Sequence, residues 1–174
     1  MRRLTLFPVI AAILLLAALP ARAFTFTAIH GEPLPLDAWR GQPVLVVNTA
    51  SLCGFTRQYN DMQALHDRFA DRGLVVLAVP SDDFRQELSS NQEVEDFCRI
   101  QLSLDIPITE ITPVTGPRAH PFYRWLAREH GHTPRWNFNK ALIGPDGALL
   151  GFWGSRIRPT DRRITRLIED ALPG

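Results

Sequence analysis

Apolar positions along the chain change their spacing several times, and each change marks an element. Phe24-Thr25-Phe26-Thr27-Ala28-Ile29 alternates apolar and polar residues, and the break His30-Gly31-Glu32-Pro33 before Leu34-Pro35-Leu36 predicts a small leading hairpin at an edge. Pro43-Val44-Leu45-Val46-Val47-Asn48 is a continuous apolar run, the pattern of a strand covered on both faces. Tyr59, Met62, Leu65, His66 and Phe69 then recur at helical spacing, and Gly73 supplies the stop. Leu74 to Val79 is a second buried strand, which completes a right-handed βαβ unit.

Pro80 to Ser90 reads as a loop, after which Asn91 is placed to cap a helix whose apolar side includes Val94, Phe97, Cys98 and Leu102. Pro121 to His130 predicts a short helix. Phe138 to Ile143 and Ala148 to Trp153, joined by Gly144-Pro145-Asp146-Gly147, predict a hairpin. Thr160 then caps a closing helix bearing Ile164, Leu167, Ile168 and Leu172. The order β-α-β, helix, helix, β-β-α predicts an α/β domain of thioredoxin-like fold: a central mixed sheet flanked by helices, with an inserted segment.

The first residues do not belong to that pattern. Met1-Arg2-Arg3 is a short positive start, Leu4 to Leu19 is almost wholly apolar, and Pro20-Ala21-Arg22-Ala23 carries the small-x-small pattern read by signal peptidases. The apolar run is short for a membrane-spanning helix of about 20 residues. The expectation is a signal peptide over residues 1–23, export to the periplasm or medium, and a single mature domain over residues 24–174. Loss of Arg2, Arg3 and Arg22 turns the formal charge of +1 into about −2. That balance gives no basic face for nucleic acid.

Two cysteines, Cys53 and Cys98, occur in a chain expected in an oxidising compartment. A structural disulfide is one reading, but a domain of this size does not need a staple, so a reactive pair stays open. Cys53 follows a buried strand and precedes a helix, where unpaired N–H groups and the positive dipole end favour a thiolate. Dithiol exchange through a CxxC pair would need a cysteine at position 56, and Thr56 stands there. His120, His130 and His132 cluster loosely without a cysteine or carboxylate at ligand spacing, so no metal centre is expected.

Three blocks carry a family resemblance: Asn48-Thr49-Ala50-Ser51-Leu52-Cys53-Gly54-Phe55-Thr56, Leu77-Ala78-Val79-Pro80-Ser81-Asp82-Asp83-Phe84, and Trp136-Asn137-Phe138-Asn139-Lys140. In order and spacing they resemble the glutathione peroxidases, over nearly all of the chain after the leader. The resemblance implies that Cys53 attacks hydroperoxides while Trp136 and Asn137 donate to its sulfur. It also implies glutamine at position 83, where this chain has Asp83, an ion that cannot donate. The loop after Phe84 is one residue shorter than the family pattern, which leaves Gln86 as an alternative donor, although Gln86-Glu87 also matches another pair of the family. Cys98 resembles the resolving cysteine of the branch reduced by thioredoxin-like proteins, against a reading as core packing on its helix. The short stretch between Gly116 and Trp136 resembles monomeric members. The implied enzyme is a peroxidase without a cofactor, acting on hydrogen peroxide or organic and lipid hydroperoxides and recycled by a thioredoxin-like protein or glutathione. The alternatives are an exported thiol-disulfide exchange protein on the same fold, or a binding domain with a structural disulfide.

Overall fold

A computed structural model of the chain describes residues 24–173, so the leader expected over residues 1–23 lies outside the described residues. The alternating segment forms β1 (Thr25–Thr27), paired antiparallel with β2 (Pro33–Pro35) as a separate two-stranded sheet. The main sheet holds β3 (Val44–Thr49), β4 (Val75–Pro80), β5 (Lys140–Ile143) and β6 (Leu149–Trp153) in the order β4-β3-β5-β6. β3 runs parallel to β4 and antiparallel to β5, which pairs antiparallel with β6. This is the expected mixed sheet.

The crossover between β3 and β4 is α1 (Gln58–Phe69), closed by a 3-10 turn and Gly73 at φ +100°, a conformation that favours glycine. Alternation along β3 divides the core. Leu45 and Val47 face a layer built from α1, α2 (Asn91–Asp96) and α4 (Arg162–Ala171), where Tyr59, Met62, Phe69, Val94, Ile164 and Ile168 are buried. Val44 and Val46 face α3 (Pro121–His130), with Phe122, Trp125 and Leu126. Both faces of the central strands are therefore covered, which is why their sequences read as unbroken apolar runs.

Several boundaries differ from the expected ones. The cap of α2 is Ser90, whose extended backbone lets its hydroxyl oxygen accept the Glu93 N–H; Asn91 is already helical, and its Oδ1 instead accepts from Ile111 N–H at 2.8 Å. Asp161, not Thr160, caps α4 by accepting from Arg163 N–H. Phe138 has φ +60°, which keeps it out of the ladder, so β5 begins at Lys140. The sequence pattern also missed a change of winding: α2 continues as a π-helical turn over Phe97–Gln101, with Cys98 buried in it.

Candidate active site

After β3 the chain turns through residues 50–57 before α1 begins, and Cys53 lies in that turn, 7% exposed. Its Sγ accepts the Phe55 N–H at 3.4 Å. Thr56 holds the turn closed. Its Oγ1 accepts the Cys53 N–H at 3.1 Å and lies 2.6 Å from the Cys53 carbonyl, with those of Ala50 and Ser51 also in reach of its single proton. The residue standing where a second exchange cysteine would be thus shapes the loop around the first.

The opposite wall is the turn before β5. Pairing of Val47 with Lys140 brings the buried Asn48 against that turn. Asn48 Nδ2 donates to the Trp136 carbonyl at 3.0 Å, and its Oδ1 accepts from Asn139 N–H at 2.9 Å. Asn139 Nδ2 also donates to the Trp136 carbonyl, and Ser155 Oγ to that of Asn137. Phe138 is fully buried in a left-handed conformation that costs a residue of its size about 1–3 kcal/mol. Its N–H donates to the Asn48 carbonyl and its own carbonyl accepts from Lys140 Nζ, which compensates that cost. Lys140 is itself fully buried and also donates to Gln58 Oε1; burial pulls its ammonium down to about 7, against the opposing influence of Asp61.

On this frame Trp136 is 38% exposed, with its ring 5.5 Å from that of Phe84. Asn137 is fully buried, and its Nδ2 donates to Gln86 Oε1 at 3.2 Å. The Phe55 backbone donates to Sγ, and the Asn137 amide, implied as a donor to that sulfur, here donates to Gln86. A cavity of about 400 Å³ lies beside Phe55 and Trp136, completed by residues Gly154, Ser155, Arg156 and Ile157. A larger one, about 670 Å³, opens at the other end of the sheet around Val44, Trp39 and Trp125 and shares no lining residue with it.

Asp83 faces elsewhere. Its Oδ2 accepts from the N–H groups of Val114 and Thr115, both at 2.7 Å, and from the Thr115 hydroxyl at 3.0 Å. It anchors the loop after Thr112. Gln86 lies against the Cys53 turn: its carbonyl accepts the Leu52 N–H at 2.9 Å while its side chain accepts from Asn137. Next to it, buried Glu87 accepts from Ser51 N–H at 3.0 Å and Leu88 N–H at 2.9 Å. Cys98 is fully buried and unbonded to Cys53, and burial pushes its thiol up to about 11. The histidines have local roles: His120 caps α3 and stacks on Phe26, His130 meets Trp125 edge-on, and His132 stacks on Phe152.

Residues 22–127 match the family model described as glutathione peroxidase. Human glutathione peroxidase 7 is 40% identical over 150 residues, covering 84% of this chain and 80% of its own. A hydroperoxy fatty acid reductase of Synechocystis sp. is 36% identical over 149 residues, covering 79% and 88%. A glutathione peroxidase-like peroxiredoxin of Saccharomyces cerevisiae is 32% identical over 148 residues, covering 82% and 90%. Among solved structures, Trgpx in its apo form superposes with a TM-score of 0.66 at 30% identity, covering 86% of this chain and 96% of that one. A thiol:disulfide interchange protein from Chlorobium tepidum, at 17% identity and a TM-score of 0.64, shares the fold. With the fold, the cysteine loop and these relatives in agreement, the chain belongs to the glutathione peroxidase family and is a thiol-dependent peroxidase.

Proposed function

We propose that Cys53 is the peroxidatic nucleophile and Cys98 the resolving thiol of a cycle fed by an external dithiol. The observation that carries the reading is the setting of Cys53: a sulfur in the turn after a buried strand, accepting a backbone N–H from Phe55, a residue that also lines a cavity with Trp136. The Cys53 thiolate attacks the outer oxygen of a hydroperoxide, the O–O bond breaks, and alcohol or water leaves with a proton, giving a sulfenic acid. Cys98 displaces hydroxide from that sulfur, and a thioredoxin-like dithiol reduces the disulfide. The apolar wall of Phe55, Trp136 and Ile157 suits an acyl chain, and relatives named hydroperoxy fatty acid reductases favour lipid hydroperoxides as substrates.

The test is peroxide consumption with thioredoxin and with glutathione, side by side, using hydrogen peroxide and a fatty acid hydroperoxide. Cys53→Ser should consume none. Cys98→Ser should react once, leave a sulfenic acid that dimedone traps, and stop turning over with thioredoxin. Normal cycling of Cys98→Ser with thioredoxin would return Cys98 to a packing role.

A further inference from the structure

Resolution needs Cys98 as a thiolate, yet the thiol is fully buried in the π-helical turn. Polar atoms collect around it. Thr49 Oγ1, Ser51 Oγ, Tyr59 OH and Glu87 Oε2 are all buried without a hydrogen-bond partner among the described residues. They face one another and the thiol: the Tyr59 hydroxyl interacts with the Thr49 hydroxyl and the Cys98 thiol, Glu87 with the Ser51 hydroxyl, and the Glu87 charge acts on both Tyr59 and Cys98. The residues come from four places: the end of β3, the turn two residues before Cys53, the first turn of α1, and the loop before α2. Buried polar atoms without well-formed hydrogen bonds are costly, so a cluster that reaches from the Cys53 turn to Cys98 calls for a role.

Glu87 is fixed to the Cys53 loop. Its Oε1 accepts the Ser51 N–H, and the neighbouring Gln86 carbonyl accepts the Leu52 N–H. Oε2 is left over. The groups facing the carboxyl are Asp82, whose Oδ1 accepts the Glu87 N–H at 3.2 Å, together with Tyr59 and Cys98. Burial first, and Asp82 after it, raise the carboxyl above the usual glutamate range.

We propose that Glu87 is the proton acceptor for Cys98 when the disulfide forms, a role that rests on the resolving function proposed above. The Cys98 sulfur attacks the Cys53 sulfenic acid; the S–S bond forms and the S–O bond breaks. Cys98 is oxidised and the Cys53 sulfur reduced. The Cys98 proton passes to Glu87 Oε2, the departing hydroxide takes a proton from Glu87, and the sum is one disulfide and one water with Glu87 unchanged. A carboxylate of ordinary strength is poorly matched to so weakly acidic a thiol, and a raised carboxyl is better matched. Because Glu87 is anchored to the Cys53 turn through Ser51 while Cys98 must leave its helix, the acceptor is held on the side of the peroxidatic sulfur.

Glu87→Gln tests this, since the amide oxygen can still accept from Ser51 and Leu88 but cannot take a proton. Rapid mixing with peroxide, followed by tryptophan fluorescence and by quenched thiol mass analysis, separates Cys53 oxidation from disulfide formation. Near pH 7, Cys53 oxidation should stay within about threefold of wild type while disulfide formation slows about tenfold or more. The gap should close as pH approaches about 11, where Cys98 ionises unaided. Unchanged disulfide formation, or equal slowing of both steps at every pH, overturns the Glu87 role. If the wild-type protein forms no Cys53–Cys98 disulfide, the resolving role falls first and takes this one with it. Should Glu87→Gln not fold, the wild-type profile decides: disulfide formation governed by one ionisation near 11 overturns the proposal.

Discussion

Lys140 combines a strand position, complete burial and a charged head, and its pH behaviour follows from that conflict. Its folded pKa of about 7 lies below the usual 10.5, so between these values the unfolded chain binds more protons and stability rises with pH. Cys98 acts oppositely between about 9 and 11, because the folded state keeps a proton that the unfolded thiol releases. The clean window is therefore pH 7 to 9. Urea unfolding should show wild type gaining on the order of 1–2 kcal/mol over Lys140→Met across it. A constant difference would place the ammonium's titration elsewhere. Asp83 leads to the opposite kind of expectation, since its carboxylate is committed to Val114 and Thr115. Asp83→Ala should lose about 1–2 kcal/mol of stability while the single-turnover rate of Cys53 with peroxide changes less than threefold. A tenfold rate change would give Asp83 a part in the chemistry at the sulfur.

At the scale of elements, the segment that matters is α2 and its π-helical continuation. Leu102 N–H reaches the Phe97 carbonyl at 3.1 Å, and Leu104 N–H the Cys98 carbonyl at 2.9 Å, spacings wider than those of an α-helix. Such turns open at low cost relative to a sheet paired on both sides. Hydrogen exchange should show the amides of residues 97–101 exchanging about a hundredfold or more faster than those of Val46 and Val47 in β3. Equal protection would leave Cys98 no route to Cys53 short of global unfolding. Core packing and movement coexist here: Cys98→Ala should also cost about 1–2 kcal/mol, because the thiol fills space in the layer shared with Tyr59 and Val94.

For the whole molecule, the expectation carried from the first residues is processing before Phe24 and export. Phe24 itself packs against Phe122 and Trp125, with ring centroids 5.6 and 5.2 Å away, so a cut beyond it would remove a core contact. Intact mass of protein from a periplasmic or culture fraction should match a chain starting at Phe24, and light scattering should give one copy per particle. Cytoplasmic protein that retains Met1 would overturn the first expectation, and a stable dimer the second.

What the sequence determined is whatever local pattern can encode. Strands covered on both faces, amphipathic helices, the cysteine at a strand end and the Trp136-Asn137 block are all visible, because spacing and residue type alone constrain them. What tertiary structure decided is every contact between residues far apart in the chain. Asn48 reads as the polar end of a buried strand, and only pairing of β3 with β5 makes it the clamp on Trp136 and Asn139. Lys140 reads only as a strand residue of the third block, and it takes Gln58 from α1, together with the Phe138 carbonyl, to let its charge be buried. The contacts of Asp83 and Gln86 are of the same kind: the loop turns one carboxylate toward Thr115 and sets the glutamine against Asn137. Glu87 was visible only as half of the Gln86-Glu87 pair, with nothing to show its burial, since a carboxylate is ordinarily a surface residue until the fold surrounds it.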